Sequence, residues 1–360
     1  MRDFEEYIRQ GEPDRIEKSR IWQIAIGLQQ VDGLTPSKYL IETAKENIEG
    51  KITIDEVKYR IDNYYKTKPV RTDDDDRTEE ADKVSSRITE ILSNDTFSFS
   101  PVEYISIHRQ LFKGIYKFAG KIRDYNISKS EWVLKGKSVI YANAADIRAT
   151  LDYDFGQEKQ FDYHTANLLQ SVQHFAKFIS ELWQIHAFGE GNTRTTAVFT
   201  IKYLRTFGFK VENDLFAEHS WYFRNALVRA NYNDLKNNIR STTAYLMLFF
   251  GNLLLEENNI LKNRHLLIND KDSQSAKTKE STTSKSNICT LEEHSVLEFL
   301  KNNPKATQKE IAAHIRKSER TVKTITLNLQ AKKLLERVNG KRSGHWKVIN
   351  PLITSSPTAH

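Results

Sequence analysis

A nine-residue loop set between two apolar runs constrains this chain more than any other feature. HFAKFISELWQI (174–185) and TTAVFTIKYLRTF (195–207) have the length and apolar content of core helices. HAFGEGNTR (186–194), between them, continues neither helix, because two glycines and an asparagine stand close together. A Gly-Asn turn that opens a helix leaves the first N–H groups without intrahelical partners and places the positive end of the helix dipole at the loop. Such a loop is a ready anion cradle, here built from Gly189, Gly191, Asn192 and Thr193.

The side chains around the cradle suit the same chemistry. Arg194, in the first helical turn, offers a fork of donors matched to phosphate oxygens. Glu190 places a carboxylate where Mg²⁺ would bridge it to a phosphate chain. His186, just outside the turn, is a base whose ordinary pKa lies near neutrality. Phe188 reads as a core anchor for the loop. Base, metal ligand, cradle and clamp within nine residues describe a phosphoryl or nucleotidyl transfer site.

The rest of the chain reads as mainly α. Residues 15–66 divide into three helices separated by turns at 32–36 and 49–51, with Thr35 as a cap and Pro36 in the first turn of the second helix. The acidic run Asp73–Asp76 reads as a solvated linker. From about Ser85 to Arg264 amphipathic helices dominate, with one interruption: two β-prone runs, Trp132–Leu134 and Ser138–Ala142, flank Lys135-Gly136-Lys137 and predict a hairpin that packs on the helices or receives a partner strand. The longest apolar stretch, 245–255, is too short to span a bilayer and is broken by Gly251 and Asn252. The charged opening MRDFEEYIRQ carries no apolar signal region. One cysteine, Cys289, excludes an intramolecular disulfide framework and a Cys-rich metal site. A cytosolic, soluble protein with no membrane partner is expected.

Charge separates the C-terminal part from everything before it. Leu291–Asn350 holds 13 Lys or Arg against 6 Asp or Glu, while the remaining chain balances at 41 of each. A Ser-, Thr- and Lys-rich segment at 265–289 reads as a flexible linker leading into it. Beyond it a helix over 291–300, a second capped by Thr307, a third capped by Ser318 and two strands at 334–338 and 345–349 suggest a winged helix-turn-helix over 290–350. Arg320, Lys323 and Asn328 on the third helix would meet base edges, and Lys341 and Arg342 between the strands would meet phosphates. The same charge pattern also permits a dimerisation or protein-contact module.

His186, Phe188, Glu190, Gly191, Asn192 and Arg194 resemble the signature of the Fic family, H-x-F-x-[DE]-G-N-G-R-x-x-R. The run YISIHRQLFKGIYKFAGKIRDYNISK (104–129) is similar to the family's stretch leading into its β-hairpin flap, so that the likeness covers about 180 residues. The resemblance implies a Fic-type helical core over 71–264 that transfers AMP from ATP, with Mg²⁺, to a hydroxyl of a target protein or of itself. His186 would deprotonate that hydroxyl, Glu190 would hold Mg²⁺, Gly191 and Asn192 would form the anion hole, and Arg194 would grip the β- and γ-phosphates. Trp132, Val133 and Leu134 would dock the target by strand addition, and Asn231 and Tyr232 fall where the nucleotide base is held. His174 reads as a satisfied core or lining residue, and His108 receives no role.

Two departures bear on activity. The family's second glycine is Thr193, and its final arginine is Ala197, a loss of one charge-assisted contact of roughly 1.5–3 kcal/mol. Transfer of another nucleotide or of phosphate, and a nucleotide-sensing DNA-binding regulator with a degenerate core, therefore stay open as alternatives, as does a homo-oligomer. Residues 25–56 are similar to the small antitoxin-like partners of Fic toxins, within a helical module over 1–70. Where those partners carry their inhibitory glutamate this chain has Asp32, and its arginine partner is absent at position 197; a packing scaffold with weakened or no inhibition is expected. Ser86 and Glu90 fit most of the same inhibitor pattern but read as ordinary helix.

Overall fold

The computed structural model describes residues 4–68, 72–209, 211, 215–268, 289–340 and 344–349. Most of the expected linker (269–288) and the pair Lys341 and Arg342 lie outside the described residues. The fold is mainly helical, with a small antiparallel sheet of two strands. Among the described residues no helix is long and apolar enough to cross a membrane. Two compact units divide the chain: one takes 1–158, 176–202 and 211–275, the other 159–175, 203–210 and 276–360.

The first unit begins with α1 (Glu5–Gln10), α2 (Pro13–Gly27), α3 (Lys38–Ile48) and α4 (Ile54–Thr67). From Ile21 to Gly27 every residue of α2 is buried, which makes it the pillar of the N-terminal part. Fully buried Trp22 packs with Leu40, Ala44, Val57 and Ile61, and its indole N–H donates to Asn47 Oδ1 at 3.0 Å. Gly27 is glycine for space: a Cβ there would lie 2.4 Å from the backbone of Ala217 in α10 (Leu215–Glu218). The expected cap at Thr35 is not used. Ser37 caps α3 instead, accepting from the Leu40 N–H, because Asp82 fixes the Ser37 backbone in place.

Asp73–Asp76 form the first turn of α5 (Asp73–Ser93), a correction to the linker reading. Thr72 and Asp75 close a capping box there, and acidic residues at a helix N-terminus are favoured by its dipole. Glu90, on the same helix, pairs with Lys58. At the other end Lys202 donates to the carbonyls of Ile91 and Asn94.

Next in the chain come α6 (Pro101–Phe112), α7 (Ile147–Gln160), α8 (Leu168–Ile185), α9 (Asn192–Thr206), α11 (Ser220–Ala230) and α12 (Ala244–Leu254). Phe99, Phe155, Phe178 and Phe199 form a ring cluster with centroids 4.9–6.0 Å apart, and Tyr104 joins it while bonding to Thr196 Oγ1 at 3.0 Å. Residues 125–142 carry no β-ladder. Trp132–Leu134 is a 3₁₀ turn closed by Glu131 and Lys137 (N–H to carbonyl, 3.0 Å), because Glu131, Val133 and Leu134 are drawn fully into the interior. Only Trp132 of that turn stays exposed.

In the second unit α13 (Leu291–Asn302), α14 (Gln308–Ile315) and α15 (Glu319–Ala331) lead into β1 (Leu335–Val338) and β2 (His345–Val348), paired antiparallel with Leu335 opposite Val348. Thr290–Glu293 and Thr307–Glu310 are capping boxes, and Ser318 caps α15. Val296, Leu300, Ile311, Val322, Leu329 and Trp346 make its core, with the Trp346 indole donating to the Ala306 carbonyl at 3.1 Å. His174, read as a satisfied residue, stacks on Phe161 at 3.7 Å.

The first unit rests on one buried carboxylate. Asp82, 0% exposed, accepts from the Ser37 N–H (2.8 Å), the Ser37 hydroxyl (2.5 Å) and the Tyr65 hydroxyl (2.7 Å), and so ties α3 and α4 to α5. Burial pushes its pKa up despite these bonds. Asp82→Ala strands three donors and is expected to lower the unfolding free energy by about 3 kcal/mol, with Asp82→Asn milder; chemical denaturation of both variants measures the difference.

Candidate active site

The loop 186–191 is held from three sides. Asn192, the first residue of α9, folds back on it: its Oδ1 accepts from the Phe188 N–H at 3.0 Å and its Nδ2 donates to the Phe188 carbonyl at 2.8 Å. Arg123, 4% exposed, donates to the carbonyls of His186 (2.7 Å), Tyr125 (2.7 Å), Ala142 (2.6 Å) and Ile185 (3.2 Å). It thereby stabilises the left-handed backbone of His186, φ +50°, a conformation unfavourable for a residue with a side chain. His108 completes the brace. The Gly120 N–H donates to its Nδ1 at 2.8 Å, so its Nε2 carries the hydrogen and donates to the Glu190 carbonyl at 3.0 Å. Its ring stacks on Phe188 at 3.7 Å, and burial depresses its pKa to about 4.

His186 is 3% exposed, with its ring 4.1 Å from that of Tyr141. The Trp183 carbonyl, 3.3 Å from Nδ1, can only accept, so Nδ1 bears the hydrogen and Nε2 keeps the lone pair. Burial, and then the charge of Lys129, hold its pKa well below the usual imidazole value, which leaves a neutral base at physiological pH. The Thr193 hydroxyl accepts from the indole N–H of Trp183 at 3.0 Å.

Arg194 departs furthest from expectation. Its guanidinium, 1% exposed, meets Glu80 Oε1 at 2.6 Å, Gln29 Oε1 at 3.1 Å and the Tyr116 hydroxyl at 3.3 Å. Asp32 Oδ2 lies 2.7 Å from its Nε in an ion pair too bent to be a hydrogen bond. Phe112 underlies the group at 4.8 Å. Burial works against the charge, but Asp32, Tyr116 and Glu80 together outweigh it and raise the pKa. Asp32 therefore has an arginine partner, and it is Arg194 rather than a residue at the closed, fully buried position 197.

Arg194 and Glu190 line one cavity of about 640 Å³, together with Asp32, Glu80, Trp221 and Arg224. The Glu190 carboxylate is half exposed there and pairs with Lys129 at 2.8 Å. Among the described residues no cluster of three or more His, Cys, Asp and Glu side chains could hold a metal ion. A lone carboxylate at the mouth of an arginine-lined cavity fits Mg²⁺ only as an ion shared with substrate phosphates, the usual habit of that ion. Asn231 and Tyr232 lie elsewhere: Asn231 Nδ2 donates to the carbonyls of Ser180 and Leu227, and Tyr232 bonds to Asp234. Arg320 and Lys323 are exposed on α15. Glu80, Arg123, His108, Lys129 and Arg224 had no individual role in the sequence reading. Three of them fall in the run 104–129, and that run was their only signal.

Gly191 has φ +76°, and a Cβ there would lie 2.3 Å from the Phe112 ring. Gly191→Ala is expected to destabilise the fold by about 2 kcal/mol or more; pairing it with Phe112→Leu should recover part of that loss in thermal melts, and no recovery would show that backbone strain alone is responsible.

A Fic family protein from Desulfovibrio desulfuricans G20 aligns over 96% of this chain and 94% of its own, at 12% identity and a TM-score of 0.43. The Fic/DOC family model matches residues 98–204, the stretch that contains α6, the braced loop and nearly all of α9. Residues 98–204 of this chain are therefore similar to the Fic/DOC family.

Proposed function

We propose that the protein transfers AMP from ATP to a hydroxyl side chain of a target protein, itself included. The carrying observation is that a buried arginine at the start of α9, held by carboxylates, and the Glu190 carboxylate line one cavity, while the loop that bears Glu190 also carries a neutral, tautomer-fixed histidine. The family match supports a transferase in general. In this reading His186 Nε2 takes the proton of the target hydroxyl, whose oxygen attacks the α-phosphorus as the bond to the β-phosphate oxygen breaks and pyrophosphate leaves. The N–H groups at the start of α9 meet the charge developing on the α-phosphate. Arg194 neutralises the leaving pyrophosphate. Glu190 would hold Mg²⁺, which screens the phosphate charge when bound.

The resting state opposes this chemistry. Asp32, from residues 1–70, and Glu80, from the domain over 71–264 itself, occupy Arg194 with carboxylate oxygens where phosphate oxygens would go, so that the N-terminal turn acts through Asp32 as a built-in brake. Residues 290–350, beyond the linker at 265–289, are read as a winged helix-turn-helix. The exposed Arg320 and Lys323 on α15, within a segment of strongly basic balance, favour DNA contact as a second function of the chain.

With Mg²⁺ and ATP labelled separately at the α- and γ-phosphate, label from the α-position alone is expected on the protein, lost in His186→Ala. Label from the γ-position would mean phosphate transfer, and no label from either would end the AMP-transfer reading. Asp32→Ala is expected to raise the labelling rate at least about fivefold by releasing Arg194; an unchanged rate would make that contact structural only.

A further inference from the structure

We propose that Arg224 is a second phosphate-binding arginine of the same site, gripping the nucleotide's polyphosphate chain from α11 as Arg194 does from α9. This rests on the nucleotide reading above. Both guanidinium groups line the cavity of about 640 Å³. A third arginine of the cavity, Arg77, spends its Nη2 on the carbonyls of Asp32 (3.3 Å) and Gly33 (3.1 Å) and thereby holds the N-terminal turn. Arg224 is placed differently. Its Nη1 meets Glu131 Oε2 at 2.6 Å, and among the described residues no hydrogen bond engages its Nε or Nη2.

The arginine is set firmly in that position. Glu131 is fully buried, and its other oxygen accepts from the Tyr141 hydroxyl at 3.1 Å. The Trp221 ring lies 5.2 Å from the guanidinium carbon. Glu131 therefore orients Arg224 and balances its charge through one edge, leaving the rest of a planar fork of donors for a ligand in the cavity. The same chain of contacts ends at the base, because the Tyr141 ring packs 4.1 Å from that of His186. An arginine so tied to the base belongs with the reacting phosphates. A polyanion demands more than one cationic group, and Arg194 is already shared with Glu80. Position 197, on α9, is a fully buried alanine and supplies none.

The test is calorimetric titration of the full-length chain with MgATP, MgADP and AMP, in the wild type and in the Asp32→Ala background, each compared with Arg224→Gln and Arg224→Lys. Arg224→Gln is expected to weaken ATP about tenfold and AMP by less than about twofold, with Arg224→Lys between. The Lys variant keeps the charge beside Glu131, so it guards against a folding defect; thermal melts of the free proteins check this directly. Unchanged ATP affinity in Arg224→Gln, or equal weakening of ATP and AMP, would overturn the role of Arg224 while leaving the nucleotide reading standing. Binding of no nucleotide by either the wild type or Asp32→Ala would remove that reading and this proposal together.

Discussion

A guanidinium with 1% of its surface exposed keeps its charge and must be compensated or its burial destabilises the fold, and Arg194 organises its surroundings accordingly. Its partners come from three distant stretches: Gln29 and Asp32 after α2, Glu80 on α5, and Tyr116 after α6. Apolar burial brings the N-terminal helices to the domain, but apolar contact has no direction. The polar contacts of Arg194 provide it, fixing which residues of the 28–33 turn face the loop. The arrangement has two consequences at once: the N-terminal turn gains a fixed partner, and the residue best suited to a phosphate is held by carboxylates.

The loop itself is built almost wholly from bonds between side chains and backbone. Arg123 holds four carbonyls, Asn192 both polar groups of Phe188, and His108 the carbonyl of Glu190. Backbone groups in an irregular loop have no ladder to satisfy them, so buried side chains must do so. The neutral state of His108 and His186 has a related cause. A charged imidazole among arginines and aromatic rings would be disfavoured by desolvation and by like charge alike.

What could be read from the sequence follows the range of the forces involved. In the C-terminal unit Thr307 and Ser318 cap their helices and the strands pair as expected, since a cap is an interaction over three residues. Thr35 failed as a cap because Asp82, 45 positions beyond Ser37, captures Ser37 instead. Asp73–Asp76 has linker composition, yet Thr72 and the helix dipole turn it into a helix start. Trp132–Leu134 is β-prone by residue type; burial of Glu131 against Arg224 and Tyr141 selects a 3₁₀ turn, because a buried carboxylate must reach its partners.

The nine residues 186–194, with their order of base, carboxylate, turn and arginine, were determined by the sequence alone, because an anion cradle at a helix start depends on neighbours along the chain. The helical class and the basic C-terminal segment were determined in the same way. Tertiary structure alone decided that Asp32 pairs with Arg194, that Lys129 pairs with Glu190 and that Arg224 shares their cavity. Those pairs join residues 61 to 162 positions apart, and charges so separated in sequence meet only where the packing of helices puts them.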